Sequence, residues 1–502
     1  MSETIRVLQL GKTDWSCAYE LPNYIDFSYS ERFEKAPKTP YDLVFVCRTI
    51  KEDEVSELML ATKAHCLYVI EGTYHNEALE TLIACKCGKY LHEEEIQAFL
   101  LQEARNYFPK PYGEKFQLGK LAIAQGFPGK VSWNGNYSVA LEGEYGTEFE
   151  QIVYWRNNIP IFEGQAIDFW LEYKKDPGVE VQLVVTQFQS HSISTIQQRC
   201  VFTEEELKDI VTFDNQMPTG PVFVSIMAKG KGMLEIIALH DRYSRRGHGL
   251  FLPGGERFVT EDRQEIFYYF DPGDMKPPLN VYFSGYKTLQ GFEGYYMMRK
   301  MGCPFLLIAE PRLEGGCFYM GSKEYEEGLV NIVRAHLDRL GFTSQDLILS
   351  GLSMGTYGAL YYGCDLHPHA MILGKPLASI GDVAKNERLH RPGGFPTSLD
   401  MLHYLSGNTD EPSIQNLNDR FWNKFRATDF GKSKFVVAYM IEDDYDMTAY
   451  NQLISNLKSK GVQVYGKGIH GRHNDATGPI ASWFKAQYEQ ILINDFSRGI
   501  DT

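Results

Sequence analysis

The stretch LILSGLSMGTYGAL, residues 347–360, decides how the last part of this chain must fold. A run of apolar residues predicts a buried strand, and a helical pattern begins directly after it. Gly351-x-Ser353-x-Gly355 between a strand and a helix is typical of a nucleophile elbow, which lifts a serine hydroxyl above the edge of a sheet. Glycines permit the tight turn because they carry no Cβ. The pattern predicts Ser353 as a nucleophile, with a structural glycine turn as the alternative.

A serine hydroxyl needs a base to activate it and an acid to orient that base. In α/β folds that carry a nucleophile elbow, the acid follows the serine along the chain and the histidine comes last. Four acids fall within the five residues 442–446, directly after a predicted strand at 434–441. We predict Asp443 as the acid, with Glu442 and Asp444 as alternates. The same run could also be a solvated loop or a cation site.

Two histidines lie in the loop IHGRHND, residues 469–475, between a predicted strand at 461–468 and the last predicted helix. Both the acid loop and this loop come at carboxyl ends of strands, where open α/β sheets place their sites. We predict His473 as the base because it lies farther past the strand end and nearer the final helix. His470 is the alternate.

An acyl-transfer site also needs two backbone N–H groups for the oxyanion. One is expected at Met354, directly after the nucleophile, and the other in the loop after an early strand. Residues 281–296, VYFSGYKTLQGFEGYY, occupy that place. Gly285 and Tyr286 are the two candidates for the second donor. Lys287 beside them is interpreted as a solvated lysine.

Three regions are expected along the chain. Residues 1–115 alternate buried strands with helical stretches, which predicts a small α/β docking or scaffold domain whose last helix spans 93–105. Residues 116–250 alternate apolar and polar positions between turns, as in an antiparallel β-sandwich. Residues 265–502 return to strand–helix alternation and predict a doubly wound, α/β-hydrolase-like catalytic domain. A linker is expected at 108–116, and a cap loop over the pocket at 387–396.

Aromatic residues in the middle region are candidates for a carbohydrate platform, with core or edge packing as the favoured alternative for each. They are Trp133, Tyr137, Trp155 and Trp170.

Composition limits the class of protein. The 502 residues carry a formal net charge of −15, which argues against general affinity for nucleic acid or anionic membranes. The chain begins without the basic and apolar regions of a signal peptide, and no apolar run is long enough to cross a bilayer, so we expect a cytoplasmic protein. Nine scattered cysteines fit buried thiols. The C-x-C at 85–87 and the H-x-H at 367–369 lack partner ligands, so no metal is expected.

The chain as a whole resembles a known family, the second accessory secretory proteins of the accessory Sec system of streptococci and their relatives. The resemblance rests on GLSMGTYGALYYG at 351–363, AYMIEDDYD at 438–446 and GRHND at 471–475. It implies cytoplasmic action at the membrane-associated export machinery, in a complex with sister accessory secretory proteins. The implied partners are a motor ATPase and a glycosylated serine-rich-repeat adhesin.

The resemblance also implies an O-acetyltransferase acting on N-acetylglucosamine of the adhesin glycan, with Ser353 as nucleophile, His473 as base and the acid within 442–444. No bound cofactor is predicted, and the sequence leaves the acyl donor open, with acetyl-CoA as one candidate. Two other hypotheses are compatible with the sequence. One is a carboxylesterase or deacetylase of the same fold, and the other is a non-enzymatic export adaptor.

Overall fold

The computed structural model describes residues 4–109, 113–192, 194–389, 395 and 397–499. The predicted cap loop at 387–396 falls largely outside these ranges, as does the middle of the predicted linker at 108–116. The described residues form three sheets that follow one another along the chain. Among the described residues, no helix has the length and apolar content needed to cross a membrane.

The first sheet is parallel, with its strands in the order β2-β1-β3-β4-β5. Its strands are β1 (Ile5–Leu10), β2 (Ile25–Ser30), β3 (Leu43–Val46), β4 (Leu67–Ile70) and β5 (Lys89–Leu91). Its helices are α1 (Val55–Ala61) and α2 (Glu77–Lys86). Both helices pack on one face, against the side chains of Val44 and Val46, while Leu43 and Phe45 point to the other.

The helix expected at 93–105 is not regular. A short α3 (Ile96–Ala98) is flanked by a 3-10 turn and followed by a π-helical turn from Phe99 to Glu103. In that π turn the N–H of Ala104 bonds to the carbonyl of Phe99. The wider turn keeps Phe99, Leu100 and Ala104 together in the core.

The middle region is antiparallel, as expected, but it forms one hydrogen-bonded sheet of ten strands rather than two separate sheets. Its strands are β6 (Gly113–Lys115), β7 (Leu121–Ile123), β8 (Lys130–Asn134), β9 (Ser138–Trp155), β10 (Ile159–Ile161), β11 (Ala166–Lys175), β12 (Val179–Phe188), β13 (Ile196–Phe202), β14 (Val211–Asp214) and β15 (Gly220–Tyr243).

Long strands explain the single sheet. The 24-residue β15 pairs with β12 along its first half and with β11 along its second, while β9 follows its other edge. The pairing shifts register near Gly230 and Gly232, whose φ angles of +95° and +142° only glycine adopts readily. The strand bends there instead of ending, and both halves contribute side chains to one core.

The third sheet has eight strands in the order β16-β17-β19-β18-β20-β21-β22-β23. They are β16 (Glu256–Val259), β17 (Glu265–Asp271), β18 (Leu279–Phe283), β19 (Phe305–Ala309), β20 (Leu347–Leu352), β21 (Ala370–Gly374), β22 (Lys434–Met440) and β23 (Gln463–Ile469). The six strands from β18 onward were expected and are mutually parallel. The antiparallel pair β16 and β17 was not expected, and β16 lies before residue 265.

Eight helices accompany this sheet in the described part of the chain. They are α4 (Tyr295–Lys300), α5 (Lys323–Leu340), α6 (Met354–Leu366), α7 (Ile380–Leu389), α8 (Thr397–Ser406), α9 (Glu411–Ala427), α10 (Ala449–Ser459) and α11 (Thr477–Phe496). Helix α6 is buried along nearly its whole length beneath the sheet edge. Helices α7, α8 and α9 pack on one another, and they lie between β21 and β22 in the chain.

Candidate active site

Ser353 lies at a strained turn between β20 and α6. Its φ of +52° and ψ of −120° are unusual for a residue with a side chain. The two flanking glycines permit the close approach behind it: a Cβ on Gly351 would lie 2.3 Å from the carbonyl carbon of Gly355, and a Cβ on Gly355 would lie 2.1 Å from the carbonyl oxygen of Phe283. The strain and the close packing hold the serine hydroxyl at the carboxyl edge of the sheet.

A chain of hydrogen bonds joins Ser353, His473 and Asp443. The Oγ of Ser353 lies 2.8 Å from Nε2 of His473, and Nδ1 of His473 lies 2.8 Å from Oδ2 of Asp443. The imidazole is almost completely buried, and Ser353 is half-buried. In this arrangement Nδ1–H donates to the carboxylate, which leaves Nε2 free to accept the serine proton.

The acid loop after β22 orients this carboxylate. Oδ1 of Asp443 accepts the N–H groups of Tyr445 and Asp446 at 2.9 and 3.2 Å. Asp444 contacts the backbone of His473, since its Oδ1 accepts the His473 N–H at 3.0 Å. The ring of Tyr445 stacks on the imidazole with the centroids 4.3 Å apart. The histidine is thus fixed at its ring nitrogens, its backbone and its face.

The alternate pair lies outside the site. Nδ1 of His470 is 2.9 Å from Oε1 of Glu442, whose other oxygen accepts the Gly471 N–H. The His470 side chain is 85% exposed, so it faces solvent rather than the serine. The N–H of Gly471 is the main cause that lowers the pKa of Glu442.

The loop after β18 differs from expectation at Gly285. Its N–H donates to Oε2 of Glu293 at 2.8 Å, so it is not directed at an oxyanion. Gly285 nevertheless approaches the elbow, because a Cβ there would lie 3.2 Å from the carbonyl oxygen of Leu352. The Tyr286 N–H is the remaining candidate from this loop. The Met354 N–H belongs to the first turn of α6, where N–H groups have no acceptor within the helix.

Lys375 was missed by the sequence reasoning. It follows β21 with a φ of +58°, and it is almost fully buried. Its Nζ donates to the carbonyl oxygen of Asp475 at 2.8 Å and so supports the loop that carries His473. Burial lowers the pKa of Lys375, while the nearby Asp443 carboxylate acts in the opposite direction. A lysine directly after a buried strand is the signal that could have indicated it.

The four candidate rings of the middle sheet do not share an exposed surface and so do not form a carbohydrate platform. Trp155 and Trp170 are buried in or beside the core, and the hydroxyl of Tyr137 lies 3.0 Å from Nδ1 of His403. Trp133 on β8 is 50% exposed. Within the described ranges, no three His, Cys, Asp or Glu side chains are arranged to share a metal ion.

The chain is therefore a mixed α/β protein. A serine, a histidine and a carboxylate are joined by hydrogen bonds at the edge of its largest set of parallel strands. A model of the accessory Sec system GspB-transporter family matches residues 5–498. The second accessory Sec system protein of Streptococcus gordonii is 38% identical over 509 residues, 99% of this chain and all of the relative. Its counterpart in Staphylococcus aureus is also 38% identical, over 99% of this chain and 98% of the relative.

A solved structure agrees with these matches. The Glycosylation Associate Protein complex from Streptococcus agalactiae contains a chain that is 34% identical, with a TM-score of 0.89 over 99% of this chain and all of that chain. The protein described here belongs to the accessory Sec system GspB-transporter family.

Proposed function

We propose that this protein is a serine-dependent O-acetyltransferase that modifies N-acetylglucosamine on serine-rich-repeat adhesin glycoproteins and assists their export through the accessory Sec system. The observation that carries the enzymatic part is the hydrogen-bonded chain from Ser353 through His473 to Asp443. Membership of the family supports the export part.

In the first half-reaction the Oγ of Ser353 attacks the carbonyl carbon of an acetyl donor while Nε2 of His473 takes the hydroxyl proton. Negative charge develops on the carbonyl oxygen, and the N–H groups of Met354 and Tyr286 are the proposed donors to it. His473 returns the proton to the leaving group, and the acetyl group remains on Ser353. Asp443 keeps the imidazole in the required tautomer and stabilises its charged form.

The second half-reaction decides between transferase and esterase. A sugar hydroxyl that is held near Nε2 of His473 loses its proton to that nitrogen and attacks the acetyl-serine, which releases the O-acetyl sugar and restores the serine. Water in the same position would give hydrolysis instead. Holding the acceptor in place and limiting water therefore favour transfer.

The export role brings proposed partners. A chain of the Streptococcus agalactiae structure, which is a complex, matches this one along its whole length. We therefore propose sister accessory secretory proteins as partners, together with the glycosylated adhesin and the motor ATPase. The site of action is the cytoplasmic face of the export machinery.

The enzymatic claim is tested by cleavage of a small acetyl ester. Ser353→Ala and His473→Ala should each lower kcat by about ten-thousand-fold, because members of such a chain act as a unit. His470→Ala is the matched control, since His470 is exposed and paired with Glu442. If His470→Ala abolishes cleavage and His473→Ala does not, the assignment of the base is wrong.

Mass analysis of the adhesin glycan separates the transferase from its alternatives. Acetyl groups should be present when the active protein is produced and absent with Ser353→Ala. Acetyl groups present only with the inactive variant would indicate a deacetylase. Equal acetylation in both cases, with export retained, would indicate an adaptor without enzymatic activity.

A further inference from the structure

Aromatic rings continue from His473 to the loop after β18. The Tyr445 ring stacks on the imidazole at a centroid distance of 4.3 Å, and the Phe395 ring stacks on Tyr445 at 5.9 Å. The Tyr286 ring meets Phe395 edge-on at 5.1 Å. Tyr286 directly follows Gly285, which approaches the carbonyl of Leu352 in the elbow. The arc of rings thus connects His473 with the loop that approaches the elbow.

The three rings differ in exposure. Phe395 is 8% exposed and Tyr445 is half-buried, whereas Tyr286 is 38% exposed. Phe395 and Tyr445 therefore form a mostly buried wall, whereas Tyr286 keeps part of its surface exposed to solvent. Aromatic surface of this kind is a large apolar area with a polar tip, suited to binding a ligand that is itself partly apolar.

Tyr286 is held in position before any ligand arrives. A Cβ on Gly315 would lie 2.4 Å from Cε2 of Tyr286, so the ring packs directly on the backbone of this glycine. The N–H of Lys287 donates to the carbonyl of Gly315 at 3.2 Å and fixes the same contact. A ring that is already ordered loses little entropy when a ligand packs on it.

We propose that the exposed surface of Tyr286 is the platform for the acceptor sugar, with Phe395 and Tyr445 as the wall that limits water at Ser353. This inference rests on the proposed function. The C–H face of a pyranose ring is apolar and can pack on an aromatic face while its hydroxyl groups stay at the rim. Burial, and then the nearby Glu314 carboxylate, raises the pKa of the Tyr286 hydroxyl, and the same carboxylate disfavours an anionic donor at this surface.

The test measures sugar binding in the full-length Ser353→Ala protein, so that no acyl transfer is needed. Methyl N-acetylglucosaminide is titrated into this parent and into the same protein with Tyr286→Phe, Tyr286→Ala or Trp133→Ala, and Kd is followed by saturation-transfer NMR. Trp133 is the control because it is an exposed ring on a different sheet. Thermal unfolding shows that each variant is folded, and Tyr286→Leu serves if the alanine variant is not.

We expect Tyr286→Ala or Tyr286→Leu to weaken binding by about tenfold, because an aromatic contact contributes on this scale. Tyr286→Phe and Trp133→Ala should stay within about twofold of the parent, since each keeps the ring at position 286. The inference is overturned if the parent does not bind the sugar, if loss of the 286 ring has no effect, or if Trp133→Ala has the same effect. It is also overturned if Tyr286→Ala weakens binding of CoA but not of the sugar.

Failure of the proposed function would look different. In that case the protein that retains Ser353 would form no acetyl-serine, whatever the result of the sugar titration. Normal sugar binding with no acetyl-serine would leave the Tyr286 platform intact and remove the transferase. Acetyl-serine formation with no effect of Tyr286 substitutions on sugar binding would support acyl transfer through Ser353 and exclude the Tyr286 platform.

Discussion

At the scale of single residues, His473 contacts four residues of the site. Its two ring nitrogens contact Ser353 and Asp443, and its N–H is bound by Asp444. Tyr445 covers one face of the ring. An imidazole that is fixed in this way has one tautomer and one direction for the proton it accepts.

Replacing the acid by its amide tests this orientation. Asp443→Asn keeps the shape, but its amide can donate to Nδ1 and turn the imidazole to the wrong tautomer. We expect kcat for ester cleavage to fall by about ten-thousand-fold. Glu442→Gln makes the same chemical change on an exposed residue that contacts His470, and kcat should stay near the unmodified value. Equal losses in both variants would contradict the role of Asp443.

A second residue-scale prediction concerns pH and Asp241 on β15. Burial, and then the Glu114 carboxylate, raises the pKa of Asp241 to about 8. The folded protein therefore keeps a proton that the unfolded chain releases near pH 3.9, so stability falls as pH rises from about 4 to about 8. Asp241→Asn removes this dependence. Its unfolding free energy should exceed that of the unmodified protein by more than about 1 kcal/mol at pH 8 and by much less at pH 4.

Denaturant unfolding at several pH values measures this difference. A raised pKa of Asp241 in the folded protein is contradicted if the stability gained by Asp241→Asn is independent of pH, or if this gain is largest at acid pH.

At the scale of elements, the turn between β20 and α6 depends on glycine at two points. In Gly355→Ala the new Cβ would lie 2.1 Å from the carbonyl oxygen of Phe283, so α6 or β18 must move. We expect a loss of about 1–3 kcal/mol in unfolding free energy, together with a large loss of ester cleavage. The loss of activity should exceed what the remaining folded fraction explains, because the elbow itself is displaced.

Gly478→Ala is the matched control. Gly478 is the second residue of α11 as Gly355 is of α6, yet a Cβ there would meet no atom within 4 Å. This substitution should change the unfolding free energy by less than about 1 kcal/mol. Equal destabilisation by the two alanines, measured by denaturant unfolding, would contradict the steric explanation of the elbow.

Elements of the third sheet could be predicted where the physical signal is local. The parallel strands β18 to β22 are buried on both faces and read as continuous apolar runs. Strand β17 was not predicted although it too is buried, and β16 is a short edge strand with little signal of its own. Helix α9 was missed despite its spacing of Ile414, Leu417, Phe421 and Phe425, which is a regular helical pattern.

At the scale of the whole molecule, a buried polar network joins the middle sheet to the third sheet and to the loop after β18. Arg242 on β15 forms two hydrogen bonds with Glu265 on β17, at 2.8 and 2.6 Å. Its Nε donates to Gln290 in the loop, and Gln290 also contacts His240, which pairs with Glu172. The loop that carries Tyr286 is thus supported from outside its own sheet.

Breaking this network should destabilise the protein strongly. Arg242→Met leaves Glu265 with a buried charge and one remaining arginine partner, Arg257, so we expect a loss of about 3–5 kcal/mol. Arg32→Met is the control, because the Arg32–Asp53 pair is more than half exposed on both sides and should contribute less than about 1 kcal/mol. Similar losses for the two variants would show that the network does not hold the sheets together.

Long-range contacts are what the sequence could not supply. The order of Ser353, the acid run and the histidine loop follows from the chain, and it predicted which loops meet. Three features depend on side chains from separate elements. They are the hydrogen bond from the Gly285 N–H to Glu293, the arc of aromatic rings and the Arg242 network. No local pattern encodes such contacts. The single bent sheet in the middle region escaped prediction because glycines there bend strands rather than end them.

The most direct test of the central claim is peptide-mapping mass spectrometry of the protein after brief reaction with an acetyl donor. We expect one acetyl group on the peptide that contains Ser353, and we expect this group to be lost on addition of an N-acetylglucosamine acceptor, which gains an acetyl group in turn. His473→Ala should show little acetyl-serine, while His470→Ala should match the unmodified protein. Absence of acetyl on Ser353, or acceptor acetylation that persists in Ser353→Ala, would contradict acetyl transfer through Ser353.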